Sequence, residues 1–325
     1  MNLKLTGKLL TTGLVVGGIF GTMAIANRVI ESQAGQLDTV LTGEERRYSW
    51  KYGDVFYKVK GNSNARPLLL IHGFDPGASS YEWRKNVDVL AEHFHVYVID
   101  LLGFGVSDRP AIDYTVETFT DLIGDFIKEV IGSSAIVVAH GLPCAYVIAN
   151  AYRRPQLFER LVLVTPPTTI LREAVPGPIN TAWKVVLRTP IVGQFIYNML
   201  TTRRAIRAYF GRQGYYNPAM VTNDLVEYVF TSAHQPHSHF PAASFLSHHL
   251  TMDVHEALKR LQPPIVVIWG REGTVTASEA AIAFRRVSPD IDIRILDNCN
   301  QQPQDEQATH FNNLVREFAS QPVLQ

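Results

Sequence analysis

Apolar residues along this chain fall into two alternating kinds of run. Pro67–His72, His95–Leu101, Ala135–His140, Leu161–Thr165, Ile265–Trp269 and Ile291–Leu296 are near-continuous apolar stretches, which predict strands buried on both faces. Between most of them apolar residues recur at helical spacing, over Val116–Ile131, Ala145–Arg153, Ser278–Arg286 and Thr309–Phe318. Strands alternating with helices predict an α/β fold, a doubly wound and mostly parallel sheet. Ahead of them, Tyr48–Tyr52 and Val55–Lys60 predict a hairpin. The rhythm breaks from Pro166 to Gln262. That interval holds no convincing strand but several helical stretches, Ile179–Leu187, Val192–Ile206, Asn223–Ala233 and Val254–Leu261. The pattern therefore predicts a core of residues 47–165 and 263–325, with a helical lid of residues 166–262 inserted over the sheet edge.

The N-terminal segment, residues 1–30, is a different object, joined to the core by a polar linker of residues 31–46. Leu9–Ala26 reads LLTTGLVVGGIFGTMAIA without a charge, a stretch that spans ~27 Å as a helix, close to the thickness of a bilayer core. Gly13, Gly17 and Gly21 recur at every fourth position, the spacing that lets two membrane helices approach closely and form a dimer. Ala24-Ile25-Ala26 also has the form of a signal-peptide cleavage site, which would leave a secreted or periplasmic chain. A helix docked on its own globular domain is the third reading. The glycine periodicity has a use only in a retained helix, so a single-pass membrane anchor is the expectation.

Composition narrows the class of partner. Hydrophobic residues are 46% of the chain and charged residues 18%, enough for a large core. Thirty basic residues balance thirty acidic ones. No positive surplus exists to neutralise a phosphate backbone, which argues against nucleic acid. Two cysteines, Cys144 and Cys299, cannot make a disulfide framework.

The segments LLLIHGF, ending in His72-Gly73-Phe74, and Val98-Ile-Asp100-Leu-Leu-Gly103-Phe-Gly105-Val-Ser107-Asp108-Arg109-Pro110 resemble the α/β-hydrolase superfamily. The resemblance is strongest to its capped branch of epoxide hydrolases, haloalkane dehalogenases and lipase-like esterases, and runs from Tyr48 to the C-terminus. It implies that the backbone N–H groups of Phe74 and Leu142 occupy the oxyanion-hole positions. It also implies a nucleophile at a strand-to-helix elbow, an acid after a late strand and a histidine base after the last one.

None of those three positions carries its chemistry here. The elbow reads Ala139-His140-Gly141-Leu142-Pro143, with Gly141 at the nucleophile position. The acid position after Trp269-Gly270 is Gly273, and Glu272 is one residue out of register. The base position is Gln301, which donates and accepts hydrogen bonds but carries no proton between groups near neutral pH. Glycine keeps the positive φ of the elbow without strain. Pro143 is expected to push Leu142 out of the helical region and mis-aim its N–H.

Other chemistry-bearing residues have plainer readings. Cys144 sits in the first turn of the helix after the elbow, where a thiolate would be favoured, but a small buried cysteine is the commoner case. His72 and His140 end strands at the same edge. His234, His237, His239, His248 and His249 form the densest histidine group, without metal-ligand spacing, and read as a polar loop. Arg203, Arg204 and Arg207 read as a solvated helix face. No metal and no cofactor is implied.

The sequence thus points to a pseudohydrolase that binds an apolar small molecule under its lid, or a membrane-associated protein partner. The pocket is expected from His72, Gly73, Phe74, His140, Leu142 and Cys144, closed by Trp183, Phe195, Tyr197, Phe230 and Phe245 of the lid. Loss of the charged triad favours an uncharged ligand. The alternative is an unconventional hydrolase, lyase or isomerase that uses Cys144 or the pocket histidines.

Overall fold

A computed structural model describes residues 3–75, 77–172, 175–273 and 280–322, and of residues 3–16 the helical backbone alone. Eight strands form one sheet: β1 (Glu44–Trp50), β2 (Gly53–Lys60), β3 (Pro67–Ile71), β4 (His95–Ile99), β5 (Ala135–His140), β6 (Phe158–Val164), β7 (Ile265–Gly270) and β8 (Asp292–Leu296). Their order is β1-β2-β4-β3-β5-β6-β7-β8. The pairs β1–β2 and β2–β4 are antiparallel, and every pair from β4 to β8 is parallel.

The apolar runs become central strands because both sheet faces are covered. Leu69 and Ile71 of β3 point into one layer with Val137, Ala139 and Val147, while Leu68 and Leu70 point into the other with Val138, Trp83 and Phe311. Side chains alternate between faces along a strand, so a strand covered twice is apolar throughout. Fully burying each such residue contributes about 1.5–3 kcal/mol.

The helices are α1 (Leu3–Ala34), α2 (Val87–Ala91), α3 (Val116–Phe126), α4 (Pro143–Arg153), α5 (Pro178–Leu187), α6 (Val192–Leu200), α7 (Arg203–Tyr209), α8 (Asn223–Ala233), α9 (His239–Leu246), α10 (His255–Lys259), α11 (Ala280–Val287), α12 (Pro303–Glu306) and α13 (Ala308–Ser320). Between β6 and β7 the described residues contain helices and no strand. The expected helix Val192–Ile206 is broken in two, because Thr202 caps α7 by accepting from the Ala205 N–H. The histidine-rich stretch contains α9 where a loop is expected. Pro241 lies in its first turn, where a missing N–H costs no helical bond.

The anchor expectation is corrected. No helix among the described residues is long and apolar enough to cross a membrane. Helix α1 continues through Ala34, into the expected linker, and its last turns dock on the lid. Asn27 is buried there, donating to the Ile191 carbonyl at 3.1 Å and accepting from Asn198 Nδ2 at 3.1 Å. Gln235 Nε2 donates to the Gly35 carbonyl at 3.0 Å, and Ala34 joins the lid cluster of Ile206, Phe210 and Phe230. Gly17 and Gly21 have nothing within 4 Å of a Cβ position, and the surroundings of Gly13 lie outside the described residues.

Candidate functional site

Strand β5 ends at His140 and α4 starts at Pro143, so the chain must turn within Gly141 and Leu142. Gly141 has φ +64°, the left-handed region that glycine adopts freely. Its N–H donates to the Val164 carbonyl at 2.9 Å, and its carbonyl accepts from the Cys144 N–H at 3.2 Å. A Cβ placed on Gly141 would meet no atom within 4 Å. Leu142 contradicts the expectation set by Pro143: its φ of −63° and ψ of −36° are helical. Its carbonyl accepts from the Ala145 N–H at 3.0 Å, so α4 starts directly from the elbow and that bond offsets the crowding before proline.

The elbow opens on a cavity beneath the lid. One lobe, about 450 Å³, is bounded by Gly73, Phe74, His140, Gly141, Leu142, Thr165 and Gln301 of the core and by Tyr209, Phe245, Leu246 and His248 of the lid. A second lobe of about 270 Å³ is mainly apolar, with Phe104, Tyr197, Leu200 and Ile206 in its wall. Phe74, Asp75, Tyr209, Phe245 and Leu246 bound both. The volumes fall in the range of small-molecule sites.

A polar chain runs along the floor. The buried His140 ring places Nδ1 3.0 Å from Glu82 Oε1, an ion pair held by charge rather than by a well-aligned hydrogen bond. Its Nε2 lies 3.0 Å from the Gln301 carbonyl. That carbonyl only accepts, so Nε2 carries a proton. Burial opposes the charged ring most strongly, but the Glu82 carboxylate, Asp75 and the Gln301 carbonyl outweigh it and push the pKa up to about 9. Glu82 also accepts from the Gly73 N–H at 2.9 Å and from Gln304 Nε2 at 3.1 Å. Gln304 donates to Gln302 at 2.8 Å, Gln302 to Asp75 at 2.9 Å, and the Tyr209 hydroxyl of the lid to Asp75 at 2.6 Å. Sequence reasoning missed Glu82, Asp75, Tyr209, Gln302 and Gln304. Asp75 alone had a signal, because it directly follows His72-Gly73-Phe74.

Two expected pocket residues lie elsewhere. His72 is buried in the core, accepting from the Leu101 N–H at 3.0 Å on Nε2, with Nδ1 2.7 Å from the Gly73 carbonyl. Cys144 is also fully buried, its Sγ 3.1 Å from the Ala139 carbonyl, and burial pushes its thiol far up, away from a thiolate. The helix terminus cannot offset desolvation at that depth. Gly273 bounds neither lobe, and its N–H turns back to the Gly270 carbonyl at 3.3 Å. Glu272 is engaged by the Cys299 N–H at 3.0 Å. Gln301 meets the cavity, and its backbone is tied to the lid through the Gly214 carbonyl at 3.0 Å.

Of the lid aromatics, Tyr197 and Phe245 wall the cavity. Trp183 is on the surface, and Phe230 packs inside the lid under Arg203, whose guanidinium also pairs with Glu227 at 2.7 Å. His234 is buried against Thr201 and Phe230, and His237 faces the Arg109 carbonyl at 3.0 Å. His239 is buried and its pKa is lowered to about 4, chiefly by desolvation. No group of three His, Cys, Asp or Glu among the described residues could hold a metal.

The eight-stranded, mostly parallel sheet and its strand-to-helix elbow form the α/β-hydrolase fold. Residues 68–313 match the model of the alpha/beta hydrolase family, and the chain belongs to that family. It is 24% identical over 260 residues to the 2-hydroxy-6-oxo-2,4-heptadienoate hydrolase of Pseudomonas putida, covering 78% of this chain and 88% of that one. An uncharacterized protein of Mycobacterium tuberculosis is 32% identical over 141 residues, a match spanning 42% of this chain but only 40% of that protein. Among solved structures, a meta-cleavage product hydrolase from Pseudomonas fluorescens superposes with a TM-score of 0.67 at 24% identity, covering 84% of this chain and 97% of that one.

Proposed function

We propose that this chain is a non-catalytic member of its family that binds a small apolar molecule beneath the lid. Gly141, Gly273 and Gln301 then stand where nucleophile, acid and base act in catalytic members. The observation that carries this reading is the elbow itself: Gly141 faces a cavity with nothing within 4 Å of its Cβ position. A nucleophile seat is kept and no side chain fills it.

The neighbouring groups support the same reading. His140 cannot relay protons to a substrate while Nδ1 faces Glu82 and Nε2 faces the Gln301 carbonyl. The runner-up nucleophile, Cys144, is sealed in the core. What remains is a walled cavity with the Phe74 and Leu142 backbone beside it, suited to holding a ligand. Removing apolar ligand surface from water contributes about 25 cal/mol per Å².

The test is turnover of p-nitrophenyl butyrate and styrene oxide by the purified chain. Neither substrate should be consumed above background, while a hydrophobic fluorescent probe should bind. Turnover that disappears when Leu246→Trp fills the cavity would overturn the reading in favour of an enzyme.

A further inference from the structure

Arg109 is a half-buried cation without a dedicated counter-ion among the described residues, set in the wall of the apolar lobe. It follows the loop after β4, and its Nη2 donates to the Gly105 carbonyl. Its Nε is buried and has no hydrogen-bond partner among the described residues. Burial is the largest influence on its pKa and lowers it, with Asp100 the strongest opposing charge. Yet Asp100 is already engaged, accepting from the Ser80 N–H at 2.6 Å and the Val106 N–H at 2.8 Å. Asp108 likewise accepts from the Asp54 N–H at 2.8 Å. No described carboxylate makes an ion pair with Arg109.

A partly desolvated guanidinium beside an apolar space is costly until an anion faces it. Its planar fork suits a carboxylate, which takes two N–H donors at once. The carboxylate that bounds both lobes, Asp75, accepts from Tyr209 and Gln302. On its other side Arg109 borders an open polar cleft of about 580 Å³ lined also by Arg46 and Arg47 and by the carboxylates of Asp38 and Glu45. Glu45 in that cleft is paired with Lys58 at 3.1 Å.

We propose that the lid cavity takes an amphipathic monocarboxylate, with its aliphatic or aryl body among Phe104, Tyr197, Leu200 and Ile206 and its carboxylate on Arg109. This rests on the reading of the cavity as a ligand site and replaces the expectation of an uncharged ligand. The triad positions lost their charge, but Arg109 keeps one at the far lobe.

The experiment compares two fluorescent probes, 11-(dansylamino)undecanoic acid and its primary amide, on the full chain at pH 7.5. The acid should bind ~10–100-fold more tightly than the amide, the worth of a charge-assisted pair. Arg109→Gln should abolish that preference, and Arg109→Lys should restore part of it. Equal binding of acid and amide by the native chain would overturn the Arg109 assignment and leave the cavity reading standing. It needs no variant, so misfolding cannot obscure it. Failure of both probes to bind would overturn both.

Discussion

Glu82 and His140 form an ion pair, Oε1 to Nδ1 at 3.0 Å, on the floor of the lid cavity. Glu82 comes from the turn after β3 and His140 from the end of β5. The pair therefore fastens the first loop of the core to the elbow. Through Nε2, His140 also holds the loop that follows β8 by the Gln301 carbonyl. Three loops around the cavity are thus joined by one imidazole.

This joint makes stability fall as pH rises through the alkaline range. His140 has its pKa raised from about 6.5 to about 9 in the folded chain. A raised folded value stabilises fully below the unfolded pKa and is lost as pH rises through about 9, a change on the order of 3 kcal/mol. The urea midpoint should fall between pH 6.5 and pH 9.5. In Glu82→Gln, which removes the partner charge, that fall should shrink.

Two glycines should respond differently to alanine. At Gly141 the only penalty is a left-handed backbone, since a Cβ meets nothing within 4 Å. Gly141→Ala should cost about 1–2 kcal/mol. At Gly270 a Cβ would lie 2.1 Å from the Asn300 carbonyl oxygen and 2.2 Å from that of Cys299. Gly270→Ala must move the loop after β8 and should cost several-fold more, read from chemical denaturation of both variants.

Neither cysteine should react with Ellman's reagent in the native chain near neutral pH. Cys144 and Cys299 are fully buried, and burial raises both thiols. Both should react in denaturant. Fast labelling of Cys144 in the native chain would revive it as a nucleophile.

The docking of α1 on the lid depends on a buried amide chain. Gln194 Nε2 donates to Asn198 at 3.0 Å, and Asn198 donates to Asn27 at 3.1 Å. Asn198→Leu leaves Asn27 and Gln194 without that partner, a loss of about 1–3 kcal/mol per unsatisfied group. Limited proteolysis should then cut near residues 27–40 faster than in the native chain, at unchanged cutting of the core.

Much of the sheet was legible in the sequence because both of its faces are buried. Ala135–Ala139 is apolar throughout for that reason, and the predicted and observed limits of the strand, Ala135–His140, coincide. Gly141 was legible too, since only glycine holds φ +64° at an elbow without strain. Lid boundaries were less so. Helix α9 begins at His239 and holds a proline, and it is sheltered by the lid helices rather than marked by an apolar stripe of its own.

What the sequence by itself determined is the set of apolar runs, the parallel sheet they build and the residues standing at the elbow and the loops beyond β7 and β8. Tertiary structure alone decided that α1 lies on the lid, because the partners of Asn27 are far along the chain. It also decided that His140 meets Glu82, that His72 and Cys144 face the core, and that Arg109 borders a cavity. Periodicity reports which face of an element is dry. It carries no information on which distant charge is brought against that face, and at this site those pairings set protonation and the chemistry of the cavity.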